Sequence, residues 1–274
     1  MIASAVVEFL EQVEAESGVP ALSEAKVFSL ADRAMSVVVT EDDRILGIGA
    51  AARHTNAGGV HHALETAVVR SMQFAEFEEA VASAALALVP DGPTSFWSTR
   101  DTLDVALARL GFRPRRTLLY MAVDLPLVDA ESRFRSMRPG EEEGLIHVNN
   151  AAFASHREAG HLTHSDLETL RAEPWFDPEG ILVAVDEGRM IGFCWTKVHP
   201  GGEGEIYRIA VDPGAQGGGL GRRLVLAGFD HLATERGVET GTLWVDEANS
   251  VAVDLFESIG MRSMRRNREF ERND

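Results

Sequence analysis

The run Glu205-Ile206-Tyr207-Arg208-Ile209-Ala210-Val211-Asp212-Pro213 is followed by Gln216-Gly217-Gly218-Gly219-Leu220-Gly221 and a helical pattern from Arg222 onward. It reads as a strand, an anion-binding loop and a helix. Glycines leave backbone N–H groups unobstructed, and the positive end of the following helix adds to their field, so the loop suits a bound anion, expected here to be a pyrophosphate. The spacing argues against two other phosphate cradles. A P-loop ends in Gly-Lys-Ser/Thr to reach terminal phosphates and magnesium, whereas Gly221 is followed by Arg222 and Arg223. The dinucleotide pattern G-x-G-x-x-G also fails, because Gly217 and Gly219 lead to Arg222 at its last position, and Gly219 and Gly221 lead to Leu224.

What remains is Q-x-x-G-x-G after a Val-Asp-Pro strand end. This resembles the acetyl-CoA pyrophosphate loop of the GNAT family of N-acetyltransferases. Downstream, residues 242–245 read as a short buried strand and 249–256 as a helix, and Asn249, Ala252 and Gly260 fall where the family pattern has Asn, Ala and Gly. An Asn before an apolar helix is also a natural N-cap. With the glycine loop at the family's spacing, the resemblance implies that Asn249 contacts the pantetheine and that Ser250, Val251, Ala252, Val253 and Asp254 run beside the thiol end.

The order of segments repeats. Arg44-Ile45-Leu46-Gly47-Ile48 echoes Arg189-Met190-Ile191-Gly192-Phe193, and Arg109-Leu110-Gly111-Phe112-Arg113 echoes Ser258-Ile259-Gly260-Met261-Arg262. The offsets, 189 − 44 = 145 and 258 − 109 = 149, nearly agree and are close to half of the 274 residues. Two copies of one domain are therefore expected, over 1–128 and 136–274, with the prolines of Leu125-Pro126 and Arg138-Pro139-Gly140 breaking periodicity between them. Before the break, 77–89 and 103–110 read as helices and 95–98 and 116–123 as strands. After it, 141–153 and 165–172 read as helices, then 181–185 and 190–197 as a hairpin around Glu187-Gly188. The fold class is α/β, a mixed α+β sheet in each of two tandem GNAT acyltransferase domains.

Composition narrows the setting. With 45% hydrophobic residues the chain can build ordinary cores, and no stretch approaches the roughly 20 apolar residues of a membrane span. The N-terminal segment 2–13 reads as an amphipathic helix without the basic start and uninterrupted apolar run of a signal peptide, so a cytoplasmic protein is expected. A net charge of −17 opposes nucleic acid and anionic membranes as partners. The lone Cys194, in an apolar strand, reads as a reduced core residue. His156, His161 and His164 lack a completing carboxylate or Cys spacing, so no metal is expected and their loop reads as a polar substrate flap. A monomer is expected.

The halves differ where chemistry is concerned. The counterpart of the glycine loop, Arg70-Ser71-Met72-Gln73-Phe74-Ala75-Glu76-Phe77-Glu78-Glu79, holds no glycine, and its three carboxylates are expected to face the place a pyrophosphate would need. One acetyl-CoA site, in the C-terminal domain, is therefore expected, with the first domain a degenerate copy.

Further runs, Val148-Asn149-Asn150-Ala151-Ala152-Phe153, Trp175-Phe176-Asp177-Pro178-Glu179-Gly180 and Trp195-Thr196-Lys197-Val198-His199-Pro200, resemble one tandem branch of the GNAT family. That branch acetylates the cysteinyl amine of a cysteine–glucosamine–inositol conjugate. The resemblance implies Glu24, Glu158, Lys197, Glu205 and Trp244 as acceptor-binding residues, Trp244 standing where the branch has Tyr. An amine attacks a thioester only when neutral, so a carboxylate must accept its proton while N–H groups stabilise the oxyanion. Glu205 is the candidate base, expected to share a strand face with Tyr207 and Ile209. Ile209, Ala210 and Val211 would present main-chain groups to the acetyl and pantetheine portion, and Gln216, Gly217, Gly218, Gly219, Leu220, Gly221 and Arg222 would hold the pyrophosphate. The branch also carries a Tyr that protonates the departing thiolate; this chain has Phe256 there, and Tyr207 is the candidate substitute donor. Another small amine or a peptide N-terminus as acceptor, or a silent CoA-binding regulator, are the alternative readings.

Overall fold

The computed structural model describes residues 4–17, 21–23, 26–27, 30, 33–56, 59–127, 134–154 and 162–272. The chain forms two compact units, Met1–Leu118 with Arg266–Asp274, and Leu119–Arg265. Division at 128–136 follows the chain, whereas these units follow packing: the last strand returns to the first unit.

In the first unit α1 (Ser4–Ser17) buries Phe9 and Val13 against Leu46 and Ile48. Strands β1 (Ser36–Glu41), β2 (Arg44–Asn56) and β3 (Gly59–Val68) form an antiparallel meander, and β3 then runs parallel to β4 (Thr94–Ser98). Two helices, α2 (Ala75–Leu86) and α3 (Asp101–Arg109), supply Ala82, Ala85, Leu103 and Leu107 to the core. A long strand, β5 (Arg113–Asp124), begins in this unit and ends in the second.

The second unit continues with β6 (Arg135–Ser136), α4 (Glu142–Ala152), α5 (His164–Arg171), β7 (Ile181–Asp186), β8 (Arg189–Val198), β9 (Gly204–Val211), α6 (Leu220–Arg236), β10 (Thr240–Asp246) and α7 (Ser250–Ser258). Its strands neighbour one another in the order β5, β10, β9, β8, β7, β6. Two cores lie on opposite faces: Leu224, Phe229, Cys194, Ile206 and Phe256 on the α6 and α7 side, and Leu145, Val148, Phe193, Trp195 and Ala210 on the α4 and α5 side. Finally β11 (Arg262–Arg272) carries Arg268–Arg272 back to pair antiparallel with β4, where Phe270 enters the first core. Its neighbour Glu269 is fully buried, accepting from Arg115 Nη1 at 2.8 Å and Arg116 Nε at 2.6 Å.

The duplication is visible in backbone detail. Two-residue turns at Asp42-Asp43 and Glu187-Gly188, both with positive φ throughout, join β1 to β2 and β7 to β8, as the right-handed strand twist favours. Each hairpin also carries a register shift, at Val39/Thr40 and Ala184/Val185, again 184 − 39 = 145 residues apart.

The three carboxylates of the first half take other positions than expected. Glu78 is fully buried and accepts from Arg100 Nε at 2.6 Å and Nη2 at 2.9 Å, while Glu76 and Glu79 pair with Arg109 at 3.2 and 3.4 Å. Arg100 draws Glu78 inward, whereas Glu76 and Glu79 stay at the surface beside Arg109. Because a buried carboxylate without its partner is strongly unfavourable, Arg100→Met should lower the unfolding free energy by about 3–5 kcal/mol, and R100M combined with E78M should recover most of it. Equal losses in chemical denaturation of the two variants would show that the pair is solvated instead.

Candidate active site

The turn after β9 is built by Asp212. Its side chain is buried and accepts from Gly214 N at 2.8 Å, while its carbonyl accepts from Ala215 N at 2.8 Å. Pro213 continues this short turn, and three successive glycines follow with φ of 92° at Gly217, 56° at Gly218 and 75° at Gly219. A non-glycine residue pays roughly 1–2 kcal/mol for each such conformation, which explains a run of three glycines. Gly219 is the left-handed cap of α6, so the loop opens onto a helix N-terminus whose first N–H groups have no intrahelical partner. Gln216 through Gly219 are exposed, Leu220 is buried as the helix's first anchor, and Arg222 and Arg223 are exposed beyond it. Arg222 Nη1 donates to Ser258 Oγ at 2.6 Å.

β9 and β10 run parallel but pair only at Gly204–Gly241 and Glu205–Thr242. Beyond this point β9 continues to Val211 and β10 to Asp246 with no further register between them. Ile209, Ala210 and Val211 remain paired on their other edge to Cys194, Phe193 and Gly192. Their edge towards β10 is therefore a strip of main-chain groups that an extended amide-bearing chain such as pantetheine can meet. α7 starts beside this opening: Asn249 caps it, accepting from Ala252 N at 3.2 Å, and Val251 is 79% exposed. The Asn249 oxygen thus serves the helix, and the amide nitrogen is the part of that side chain suited to a ligand.

The acceptor face carries a β-bulge. Trp195 pairs with Arg208 and Thr196 with Ile206, leaving Tyr207 as the extra residue. Bulges re-aim side chains beside functional sites, and this one changes the expected alternation. Tyr207 packs with the α4-side core, whereas Ile209 packs with the α6-side core. Glu205 and Tyr207 therefore share a face, and Ile209 lies on the other, contrary to simple period-two alternation.

On the Glu205 face, Lys197 stands directly across from Glu205 in the β8–β9 register and is only 3% exposed. Its ammonium lies 4.5 Å from the Trp175 ring centre and 5.8 Å from that of Tyr207, so it turns into an aromatic wall and not out to solvent. Trp175, Trp195 and Tyr207 form that wall, with centroids 4.9–6.3 Å apart. Trp244 is partly exposed and stacks at 5.0 Å on Tyr120, whose other neighbour is the Arg265 guanidinium 4.0 Å from its ring centre. Tyr120 Oη donates to Glu203 Oε2 at 3.1 Å, and burial raises its phenol above the ordinary range. Glu205 itself is held by His199, with Nε2 2.7 Å from Oε2. Sequence reasoning gave His199 no role; its place in the Trp-Thr-Lys-Val-His run, six residues before the candidate base, was the available signal.

Other expected positions have plain outcomes. Glu24, Glu158, His156 and His161 lie outside the described residues. His164 pairs with Glu143 at 2.8 Å. Among the described residues no three His, Cys, Asp or Glu side chains are grouped to hold a metal ion. Cys194 is fully buried in the core, which pushes its thiol far above the ordinary range. Phe256 is buried in the α6-side core, on the opposite face from Tyr207. No helix of the described residues is long and apolar enough to cross a membrane.

The first unit repeats the opening and fills it. β3 and β4 pair only from His62–Thr94 to Leu64–Phe96, while β3 runs on to Val68. Thr66 pairs with Gly49 as Ile209 pairs with Cys194, and Gly49 and Cys194 are 145 residues apart. Arg100 precedes α3 as Asn249 precedes α7, an offset of 249 − 100 = 149. Arg100 Nη2 donates to the Thr66 carbonyl at 3.1 Å and hydroxyl at 2.9 Å. The main-chain acceptor that corresponds to Ile209 is thus consumed internally. By the same register Ala63 pairs with Ala52 where Glu205 pairs with Lys197, so the first unit has no carboxylate at the base position.

A splayed parallel pair followed by a glycine loop at a helix N-terminus defines an acetyltransferase of the GNAT class, and residues 149–261 match the Acetyltransferase (GNAT) family. A tandem GNAT protein from the clavulanic acid biosynthesis pathway superposes with a TM-score of 0.71 at 15% identity, covering 98% of this chain and 94% of that one, a likeness of fold alone. Mycothiol acetyltransferase of Kocuria rhizophila is 35% identical over 93% of the chain and 91% of its own length. Mycothiol acetyltransferase of Thermomonospora curvata is 44% identical over 62% of the chain, and the match spans 60% of that relative's length. The chain belongs to the mycothiol acetyltransferase family.

The loop conformation yields a direct test. An added Cβ at Gly219 meets nothing within 4 Å, so Gly219→Glu should leave the fold intact apart from the left-handed strain while placing a carboxylate at the anion site. Isothermal titration with acetyl-CoA should then show no binding; residual stoichiometric binding would reveal a second competent site.

Proposed function

We propose that the protein transfers the acetyl group of acetyl-CoA to the cysteinyl amine of a cysteine–glucosamine–inositol conjugate, using one cofactor site in the second unit. The observation that carries this reading is Glu205. It is the last β9 residue paired to β10, so its carboxylate stands where the two strands part.

Glu205 accepts the proton of the attacking amine, directly or through a water. The N–H groups along β9 from Ile209 to Val211 receive the charge that develops on the acetyl oxygen, at positions fixed by their pairing to β8. The glycine loop and the α6 N-terminus hold the pyrophosphate, with Arg222 and Arg223 supplying positive charge in a chain of net −17. Lys197, Trp175, Tyr207 and Trp244 form the acceptor wall. Aromatic faces suit the apolar face of a sugar or inositol ring, and the charged groups beside them suit its hydroxyls. The Arg100 and Glu78 pair supports a single cofactor site, since it occupies the corresponding strip in the first unit. A reduced buried Cys194 agrees with a cytoplasmic setting, and one chain carries every group named here, so we propose a monomer.

Phe256 is the observation for a second reading, a GNAT enzyme acting on a different amine. Incubation with acetyl-CoA and the cysteinyl conjugate, followed by free thiol release and mass detection, separates the two. Turnover of other amines with none of the conjugate would leave the second reading standing. In the same assay Glu205→Gln should lower kcat by about 10²–10⁴-fold at neutral pH and spare acetyl-CoA affinity. An unchanged rate would remove Glu205 as the base.

A further inference from the structure

We propose that His199 is a positioning residue for proton transfer, pinning Glu205 through Oε2 so that Oε1 is aimed at the acceptor amine. This rests on the reading of Glu205 as the base. The contact is short, 2.7 Å from Nε2 to Oε2, the length of a charge-assisted hydrogen bond. With the proton on Nε2, His199 donates to Oε2.

The ring is anchored by the turn that carries it. His199 N donates to the Glu203 carbonyl at 2.8 Å, and Gly202 N donates back to the His199 carbonyl at 2.9 Å. Gly202, at φ 88°, supplies the backbone conformation that closes this turn. Val198 pairs with Gly204 and Lys197 with Glu205, so the imidazole reaches the carboxylate across the closed end of the hairpin. The charged groups around Glu205 are Lys197 across β8, Glu203 on its own chain segment and Arg208 beyond the bulge. Of these, Arg208 Nη1 donates to Asn149 Oδ1 at 3.1 Å, and Glu203 accepts from Tyr120. His199 Nε2 is the group that meets Oε2 at 2.7 Å.

A carboxylate with both oxygens loose rotates about its terminal bond and presents either oxygen at random. Fixing one oxygen orders the other, and misplacement of about 1 Å at a reacting group can cost roughly 10²-fold in rate. The ammonium N–H bond breaks as an O–H bond forms at Oε1, and the electron pair left on the now neutral nitrogen forms the C–N bond to the acetyl carbon; the C–S bond breaks, and the departing CoA thiolate takes up the second proton that nitrogen sheds as the amide forms. His199 contributes orientation and charge stabilisation to that carboxylate and also borders solvent: its side chain is 33% exposed against 12% for Glu205. The proton therefore has a route outward past the imidazole once the amide has formed.

The test compares His199→Ala, His199→Gln and Glu205→Gln with the full-length protein, using acetyl-CoA and the cysteinyl conjugate. His199→Ala should lower kcat by about 10- to 100-fold with the KM for acetyl-CoA within twofold. His199→Gln, whose amide nitrogen can stand near Nε2, should recover most of that loss, and added imidazole should partly restore H199A. The double variant H199A with E205Q should be no slower than E205Q, as expected for two groups serving one step. Wild-type kcat in H199A alongside a crippled E205Q overturns the His199 role and leaves the base intact. Full turnover in E205Q removes the base and this inference with it. A loss in H199A that neither glutamine nor imidazole repairs, accompanied by a lowered Tm, assigns the contact to folding and overturns the proposal.

Discussion

Two parallel strands that stop pairing while both continue must leave main-chain N–H and C=O groups without sheet partners, and such groups need water, side chains or a ligand. In the second unit this separation begins after Glu205–Thr242, and the other features of the site are arranged about it. α6 is held close to the sheet at glycines: a Cβ at Gly228 would lie 2.5 Å from Cys194 Sγ, one at Gly204 2.9 Å from Leu232, and one at Gly192 2.9 Å from Leu224. Close packing there brings the α6 N-terminus to the end of β9, so the loop's N–H groups and the strand's free edge form one continuous polar strip. The bulge at Tyr207 then places Glu205 and the aromatic wall on one face while Ile209 anchors the other.

In the first unit the same geometry is filled from within. The unit retains the hairpin turns, the register shifts and the splay, all dictated by strand twist and hydrophobic alternation. It lacks the bulge, since β2 and β3 pair without interruption from Gly47–Val68 to Asn56–Gly59. An open strip of buried carbonyls would be costly, and Arg100 satisfies one of them while Glu78 neutralises its charge. At the position before the helix, Arg100 fills the opening of the first unit, whereas Asn249 caps its own helix by accepting from Ala252 N.

Much of this was legible because local rules and global fold agree. The glycine run, the Val-Asp-Pro turn and the repeated pentads each have one economical structural meaning, and the observed elements follow them. Three features were not legible, for different reasons. β11 is dense in charge, with Arg262, Arg265, Arg266, Arg268, Glu269, Glu271 and Arg272, and becomes a strand because Arg115 and Arg116 accompany Glu269 into the interior. The Tyr207 bulge depends on pairing with β8, which period-two alternation within β9 alone does not encode. Glu78 of α2 looks outward in a linear reading because its partner, Arg100, lies 22 residues downstream and meets it only through packing.

The two ends of the proposed reaction are unequally provided for, and the chemistry accounts for this. Attack requires a neutral amine, so the acceptor side needs a base, the role proposed for Glu205, whose Oε2 lies 2.7 Å from His199 Nε2. Departure of the thiol is less demanding: with a pKa near that of a free cysteine, about 8.5, a CoA thiolate is a competent leaving group and can take its proton from water. Phe256 then serves α7 packing at little chemical cost, filling the α6-side core where a phenol would have to keep a polar end satisfied. Tyr207 cannot simply inherit the role by proximity in sequence, because the bulge commits its ring to the opposite face, among Trp175, Trp195 and Lys197. A site with Glu205 as its proposed base and no phenol at position 256 is therefore internally consistent: its side chains are concentrated on the step that water alone would serve poorly.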